Sequence, residues 1–162
     1  MRRVIIFGNS GSGKSTLAKE LMKKDALGYL DLDTLAWLPV VPPERAPLKD
    51  SKEQIDVFTK ANDSWVIEGC YTDLLELVAA EANEIIFMNI DVNLCIENAK
   101  IRPWEPHKYE SKEAQDNNLE MLISWIKQYM ERDDEFSFKS HMNFYESFPN
   151  KKVMYKNNEK KT

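Results

Sequence analysis

A glycine-rich segment near the start of the chain has the residue types and spacing of a phosphate-binding loop. Residues 8–15 fit the pattern G-x-x-x-x-G-K-[ST]. The glycines allow a tight turn whose backbone N–H groups point at one phosphate cluster, and a following helix adds its positive end. Lys14 supplies a mobile charge for the β- and γ-phosphates, and Ser15 offers a hydroxyl to Mg²⁺. The predicted nucleotide site comprises Gly8, Asn9, Ser10, Gly11, Ser12, Gly13, Lys14, Ser15 and Thr16.

Acidic side chains that follow later strand-like segments are a second set of candidate catalytic groups. Asp31 and Asp33 come after a short apolar segment, and Glu68 ends another one immediately before Gly69. An acid that ends an apolar strand needs a polar or metal partner, because its burial is otherwise costly. Asp33 would face the loop as a catalytic or substrate-binding group; the alternative is that it only caps the next turn.

Two arginines are candidates for binding anionic groups. Arg102 would stabilise the transferring phosphoryl, a role worth about 10³–10⁵ in rate in some enzymes; alternatively it ends a helix, where a cation suits the dipole. Arg45 lies in a segment with four prolines, residues 39–49. It would bind an anionic acceptor, or it is simply a solvated loop charge.

The elements on either side of the loop have the periodicity that this kind of site requires. The segment from Arg2 to Phe7 contains the continuous apolar run Val4 to Phe7, which is typical of a buried parallel strand. After the loop, Leu17, Ala18 and Leu21 recur at helical spacing. A strand, a glycine loop and a helix therefore follow one another, which makes a plain Gly/Ser-rich turn the weaker interpretation.

The rest of the chain alternates between strand-like and helix-like segments. A capping box at Ser51-Lys52-Glu53-Gln54 predicts the start of a helix with Ile55 and Phe58 inward, and Asp91 is a candidate helix cap. The four prolines of residues 39–49 exclude a helix or central strand there. Further strands are predicted at 28–32, 65–68, 84–90 and 152–155, and further helices at 72–81, 92–101, 111–132 and 135–147.

This alternation predicts the α/β class with a mostly parallel sheet that is covered by helices on both faces. Ligands in such folds bind beyond the carboxyl ends of the strands. The loop, Asp31, Asp33, Glu68 and Asp91 all fall at that edge. We therefore expect these polar residues to converge.

Size and composition narrow the class of protein. The chain has 162 residues, of which 43% are hydrophobic and 30% charged, and a net charge of −5. We predict one domain over residues 1–162, with a Lys-rich tail at 156–162. The negative charge disfavours a general nucleic-acid binder. The apolar runs are too short for a membrane helix or a secretory signal, which predicts a cytoplasmic location without membrane contact.

The chain resembles the small P-loop kinases in the segments GNSGSGKST, LDLDTLAW, WVIEGCY and EIIFMNID and in the region from Trp125 to Tyr129. The resemblance covers residues 2–156 and is nearest to the branch of DNA topology modulation proteins and adenylate-kinase-like or shikimate-kinase-like ATPases. It implies a three-layer α/β/α sandwich with five parallel strands in the order 2-3-1-4-5 and a small helical lid, placed at about residues 92–112. ATP and Mg²⁺ are the implied cofactors.

Individual residues take roles from this resemblance. Asp33 matches the acid that contacts the acceptor hydroxyl, and Asp31 matches its neighbour, which helps to hold Mg²⁺ through water. Trp37 matches an aromatic residue of the same branch. Glu68-Gly69-Cys70-Tyr71 matches a segment usually written Asp-Gly-Asn-Tyr. Gly69 thereby becomes a substrate-site residue, while Glu and Cys in place of Asp and Asn alter the metal and acceptor contacts.

The loop, the acids and the resemblance together predict an ATP- and Mg²⁺-dependent phosphotransferase that acts on a small-molecule acceptor, as a monomer or homodimer. The first alternative is a regulatory ATP-binding protein or weak ATPase with little turnover, because arginines are scarce after the fourth strand. The second, which the family name alone raises, is a DNA-associated regulator that would use the Lys-rich C-terminal segment.

Overall fold

The structure, a computed structural model, describes residues 1–157. Its strands are β1 Arg3–Gly8, β2 Gly28–Asp31, β3 Trp37–Leu38, β4 Glu44–Arg45, β5 Trp65–Gly69, β6 Glu84–Met88 and β7 Lys151–Tyr155. Its helices are α1 Lys14–Asp25, α2 Leu48–Ala61, α3 Thr72–Val78, α4 Val92–Lys100, α5 Lys112–Lys127 and α6 Phe138–Ser147. Single 3₁₀ turns cover Leu32–Thr34 and Ala79–Glu81. Residues 158–162 of the predicted Lys-rich tail lie outside the described residues.

Five parallel strands form the central sheet in the spatial order β2-β5-β1-β6-β7. Counted along the chain without the small antiparallel hairpin β3–β4, this is the predicted order 2-3-1-4-5. The central strand β1 is flanked on both sides, with Ile5 opposite Ile67 of β5 and Ile85 of β6. The α/β prediction is confirmed.

Alternation along β1 divides the core into two layers, because successive strand side chains point to opposite faces. Ile5 and Phe7 belong to the layer that packs with α2, α3 and α6. Val4 and Ile6 belong to the layer that packs with α1, α4 and α5. All four side chains have no exposed surface. Both faces of the sheet are therefore covered, which gives the predicted three-layer arrangement.

The predicted capping box at Ser51 is wrong. Helix α2 already begins at Leu48, after Pro47, and Ser51 lies inside it. The buried Ser51 hydroxyl donates a hydrogen bond to the carbonyl oxygen of Leu35, 3.2 Å away. The hydroxyl of Ser51 therefore makes a tertiary hydrogen bond and does not cap the helix. Ile55 is buried and Phe58 packs against the same core layer, so the inward face of the helix is as predicted.

Two other predicted boundaries shift for local reasons. Helix α5 ends at Lys127, since the N–H of Gln128 turns back to the carbonyl oxygens of Trp125 and Ile126. The next helix begins at Phe138, where the Ser137 hydroxyl accepts from the N–H of Ser140 as a cap.

No helix within residues 1–157 combines the length and the apolar character that crossing a membrane requires.

The predicted lid divides into two parts. Residues 92–100 form α4, in which Cys95, Ile96 and Ala99 are buried against the second core layer, and Asp91 caps it through the N–H of Asn93. Residues 101–111 contain turns but no helix or strand, and they connect α4 to α5. Lys108 of this irregular segment reaches the carboxyl edge of the sheet, where its Nζ lies 2.8 Å from Asp33.

Candidate functional site

The glycines of the loop are required by its backbone and its packing. Gly11 has φ +77° and Gly13 has φ +90°, in the left-handed region. A Cβ on Gly11 would lie 2.3 Å from the carbonyl oxygen of Cys95. A Cβ on Gly8 would lie 2.5 Å from the carbonyl oxygen of Met88. The loop can therefore fit against β6 and α4 only with glycine at these positions.

Two asparagines fix the loop to the helices behind it. The Asn98 side-chain amide donates to the carbonyl oxygen of Gly11 at 2.9 Å. The Asn9 amide donates to the carbonyl oxygen of Ile126 at 3.4 Å. The loop is thus held from both α4 and α5. Within the loop, Gly8, Asn9 and Ser12 are buried. The loop residues that line the open space are Ser10, Gly11, Gly13, Lys14, Ser15 and Thr16.

Lys14 begins α1 and its side chain bends back over the loop. Its Nζ donates to the carbonyl oxygen of Asn9 at 2.7 Å. The first turn of α1 contains no acidic residue, so the positive end of the helix is not neutralised by its own side chains. The ammonium group, the helix terminus and the loop N–H groups thus face the same open space, which suits a polyphosphate.

Ser15 and Glu68 meet directly, although β5 and the loop are far apart in sequence. The Ser15 hydroxyl donates to Oε2 of Glu68 at 2.5 Å, and the Tyr29 hydroxyl donates to the same oxygen at 2.8 Å. Glu68 is only 3% exposed. Burial, followed by the charge of nearby Asp31, raises the pKa of Glu68. A cation at this point would relieve both effects.

The acid–lysine cluster consists of Asp31, Asp33, Glu105 and Lys108, and it lies across from the loop. Lys108 Nζ is 2.8 Å from Asp33, 3.5 Å from Asp31 and 3.4 Å from Glu105. The N–H of Asp33 donates to Oδ1 of Asp31 at 2.9 Å, so the two acids are also joined through the backbone. One cation from the 101–111 segment therefore binds three carboxylates.

The acids of this cluster titrate differently. Burial and the adjacent charge of Asp33 raise the pKa of Asp31. For Asp33, burial acts to raise the pKa, but the charge and hydrogen bond of Lys108 outweigh it and the net direction is downward. Asp33 therefore remains a carboxylate at neutral pH. The two aspartates together raise the pKa of Lys108, against the effect of its burial.

Two aromatic residues complete this side of the site. The Tyr71 hydroxyl donates to Oδ1 of Asp33, and the Trp37 indole N–H donates to the Tyr71 oxygen at 2.9 Å. Tyr71 is almost fully buried, whereas Trp37 is 41% exposed. The chain of bonds from Trp37 through Tyr71 orients the Asp33 carboxylate and leaves part of the indole ring open to the cleft.

An open cleft of about 1720 Å³ joins the loop and the acid–lysine cluster. Pockets for single small ligands usually measure about 300–1,000 Å³, so this cleft has room for more than one molecule. The part of its wall that carries the site comprises Gly11, Gly13, Lys14, Ser15, Asp33, Trp37, Glu68, Gly69, Tyr71, Arg102, Trp104 and Lys108.

Arg45 lies apart from the loop and is not part of the cleft wall. Its guanidinium is bound to Glu135 at 2.8 Å and to Asp73 at 3.1 Å, and its Nε donates to the carbonyl oxygen of Ala36. It also lies 4.8 Å from the ring centre of Tyr71. These contacts join the β4 hairpin to α3 and to residue 135. The structure therefore gives Arg45 a bracing position instead of the predicted open anion site.

Arg102 lies on the cleft wall, as expected of a candidate for charge stabilisation. Its Nη1 is 3.4 Å from Glu105, in the same segment. This arginine is therefore tied to the segment that carries Lys108.

Gly69, Cys70 and His141 form a compact layer under the acids. A Cβ on Gly69 would lie 2.9 Å from the Leu32 side chain. Burial raises the pKa of the Cys70 thiol to about 12, which excludes a thiolate nucleophile at neutral pH. His141 has no exposed surface, with Nε2 2.8 Å from the Cys70 carbonyl oxygen and Nδ1 2.7 Å from the Tyr129 hydroxyl. His141 therefore holds the residues after β5 in place and takes no part in the chemistry.

The oxygen atoms at the mouth of the loop fit a Mg²⁺ ion that is bound mainly by phosphates and water. Within residues 1–157, no three His, Cys, Asp or Glu side chains are grouped to hold a metal by themselves. Mg²⁺ beside a nucleotide needs only one or two protein oxygens. Ser15 Oγ and Glu68 Oε2, which share a short hydrogen bond, are such a pair. Asp31 lies farther back, next to Lys108.

Sequence reasoning placed Lys108 in the lid but not in the site, and it gave Tyr29 no role. Both depend on contacts between segments remote in sequence: Lys108 with Asp33, and Tyr29 with Glu68. The only available signal was a cluster of cations after the fourth strand, Lys100, Arg102, His107, Lys108 and Lys112. That cluster does not indicate which of its members turns inward.

The chain is similar to solved structures of other proteins. No protein-family model and no curated protein matches the chain. Among solved structures, shikimate kinase from Bacteroides thetaiotaomicron is similar with a TM-score of 0.50 and 15% identity, over 96% of this chain and 85% of that one. An uncharacterized protein from Eubacterium ventriosum matches with a TM-score of 0.49 and 18% identity, over 96% and 88%. The likeness to shikimate kinase supports a P-loop kinase-like fold.

Proposed function

We propose that this protein is an ATP- and Mg²⁺-dependent phosphotransferase that transfers the γ-phosphoryl group to a hydroxyl of a small molecule. The observation that carries the proposal is that Lys14, Ser15, Glu68 and Asp33 line one cleft, in which Ser15 is bound to Glu68. A charged donor and an acceptor-binding carboxylate therefore face the same space. The shikimate kinase-like fold agrees with this reaction class.

On the loop side, the chain's own groups bind and orient the nucleotide. Backbone N–H groups of the loop and the start of α1 would surround the phosphates, and Lys14 would exchange the Asn9 carbonyl oxygen for the β- and γ-phosphates. When bound, Mg²⁺ held by Ser15 and Glu68, with Asp31 acting through water, would neutralise charge on those phosphates. Catalysis of this kind consists of positioning and charge stabilisation.

On the opposite side, Asp33 would accept a hydrogen bond from the acceptor hydroxyl and orient it for attack. Lys108 keeps Asp33 ionised, and Tyr71 fixes the carboxylate plane. Gly69, at the end of β5, lines the cleft beside Glu68 and would contact the acceptor through its backbone, while Leu32 fills the space that a side chain there would need. The 101–111 segment would close the cleft and bring Arg102 towards the transferring group.

A regulatory ATP-binding role with little turnover is the second candidate, and the pairing of Arg102 favours it. Arg102 contacts Glu105, and Arg45 is bound to Asp73 and Glu135. In the arrangement described, each guanidinium is paired with a carboxylate. Such a protein would bind ATP with the same loop residues but would show no transfer in the presence of acceptors.

The finer parts of the resemblance belong to this proposal as well. We place the chain in the branch of DNA topology modulation and adenylate-kinase-like proteins, as a monomer or homodimer in the cytoplasm. Direct nucleic-acid binding is not part of the proposal, because the net charge is −5.

The test combines a thermal-shift titration with ATP·Mg²⁺ and an assay of phosphoryl transfer, on wild type, Lys14→Ala and Lys23→Ala. Lys23 is an exposed residue of the same helix and serves as the matched control. We expect a stabilisation of several degrees at saturating ATP. Lys14→Ala should lose this shift and at least about 100-fold in transfer rate, while Lys23→Ala keeps both.

A Lys14→Ala protein that retained the full shift and rate would contradict the nucleotide site. A shift without transfer to any acceptor would support the regulatory candidate.

A further inference from the structure

The acceptor side of the cleft, which comprises Asp33, Trp37, Tyr71, Glu105 and Lys108, is rich in acid and poor in available cations. Lys108 has three N–H donors and is surrounded by three carboxylates, those of Asp31, Asp33 and Glu105, at 2.8–3.5 Å. An anionic group arriving here would have to compete with all three. The ammonium group that binds Asp33 is therefore already balanced by carboxylates.

The arginines do not supply the missing charge. An arginine is the usual side chain for clamping a carboxylate or phosphate, because its planar fork binds two oxygens at once. Within residues 1–157, the cleft wall contains two arginines, and each has an acidic partner: Arg2 binds Glu84 and Asp25, and Arg102 contacts Glu105. Arg45 braces the hairpin through Asp73 and Glu135.

The acceptor side of the cleft presents an aromatic surface, formed by Trp37, rather than an arginine that could bind an anion. Trp37 presents the exposed part of its indole to the cleft, and its N–H is fixed on the Tyr71 hydroxyl. The ring is further held by Phe136, which stacks at 6.5 Å with an interplanar angle of 4°. A rigid, half-exposed ring beside a hydrogen-bonding carboxylate suits a flat, uncharged molecule that also bears a hydroxyl.

We propose that the acceptor is an uncharged hydroxyl compound with a planar ring, of nucleoside-like chemistry, and not a monophosphate or a carboxylate. This inference rests on the proposed function. Trp37 would stack on the ring, and Asp33 would bind the hydroxyl that receives the phosphoryl group. In that transfer the acceptor oxygen bonds to the γ-phosphorus, the bond from that phosphorus to the bridging oxygen breaks, and ADP leaves while the hydroxyl proton is released.

The experiment compares matched pairs that differ only in one phosphate. Transfer from ATP·Mg²⁺ is measured with adenosine, cytidine, uridine, guanosine and thymidine and with their 5′-monophosphates. We expect kcat/KM for at least one nucleoside to exceed that for its monophosphate tenfold or more. Equal or higher values for the monophosphates would overturn the inference and leave the proposed function standing.

Three variants make the test specific to the residues that carry it. Trp37→Leu should raise the acceptor KM at least fivefold with the KM for ATP unchanged, and Trp37→Phe, which keeps a flat ring, should restore most of the acceptor affinity. Glu105→Gln removes one of the carboxylates around Lys108, and we expect it to move the preference towards the monophosphate. Unchanged acceptor KM in Trp37→Leu would overturn the stacking role.

The two levels of proposal fail in different ways. If ATP·Mg²⁺ stabilises the protein but no nucleoside is phosphorylated, the acceptor inference is overturned while the nucleotide site stands. If ATP·Mg²⁺ gives no stabilisation of protein that has been freed of bound nucleotide, the proposed function itself fails.

Discussion

The two sides of the cleft are built in opposite ways. The loop side comes from one continuous segment, residues 8–16, whose shape follows from its glycines and from two asparagine tethers. The acid–lysine cluster comes from the end of β2 and from the 101–111 segment, and it is held by ion pairs. The first is a motif that one stretch of chain specifies. The second exists only because the fold brings two stretches together.

The two sides also differ in the interactions that hold them, and we therefore expect them to respond differently to substitution. Backbone strain and packing around Gly11 have no substitute, so any side chain there costs free energy. An ion pair such as Lys108–Asp33 can instead be exchanged for a bond to a ligand. We therefore expect the loop side to be rigid and sensitive to shape, and the acceptor side to be adjustable and sensitive to charge.

The largest effect is expected for Gly11→Ala. The left-handed backbone costs about 1 kcal/mol, and the clash with the Cys95 carbonyl oxygen adds about 1–3 kcal/mol, so the loop should distort. ATP affinity should fall at least about 100-fold, measured by thermal shift or calorimetry. The matched control is Gly28→Ala, because the three atoms nearest to its added Cβ all belong to the Asn62 side chain and not to the backbone. Equal ATP binding in both variants would break the comparison.

An intermediate effect is expected from His141, which supports the acceptor side from below. Burial lowers the pKa of His141 to about 4, from 6.5 in the unfolded chain. Between these values the unfolded chain binds the proton and the folded one does not, so stability falls as pH decreases from about 6.5 to 4. The expected loss is about 3 kcal/mol.

The His141 prediction is measured by urea unfolding from pH 7 to pH 4 in wild type and His141→Gln. Their difference in free energy of unfolding should shrink by about 3 kcal/mol towards pH 4. Asp31 and Glu68, whose pKa values are raised, act in the opposite direction but cancel in this difference. A difference independent of pH would show that His141 does not remain neutral in the folded protein.

The smallest effect is expected for Lys108→Met. Loss of the ammonium group should let burial raise the pKa of Asp33, so the acid limb of the pH–rate profile should move to higher pH, with at most about a tenfold rate loss at neutral pH. The thermal shift with ATP·Mg²⁺ should stay unchanged. Lys112→Met, which removes an exposed pair with Asp116, is the control. If the acid limb of the pH–rate profile stayed in place, Lys108 would contribute only packing and not the charge that keeps Asp33 ionised.

The sequence by itself determined the α/β class, the glycine loop and the presence of acids at the carboxyl edge. These follow from local patterns: an apolar run, a fixed loop spacing, and the rule that parallel strands end at one edge. The sheet order came from the family resemblance, and the structure agrees with it. The phosphate-binding loop could be predicted from the sequence because all of its residues are consecutive in the chain.

Only the tertiary structure decided which polar side chains meet. Arg45 turned towards Asp73 and Glu135, Ser51 towards the Leu35 carbonyl oxygen, and Lys108 towards Asp33. Each choice depends on which elements pack together and on the cost of burying an unpaired charge or hydroxyl. Sequence spacing carries no information about such pairs, because their members are brought together by the sheet and the crossing segments rather than by the local chain.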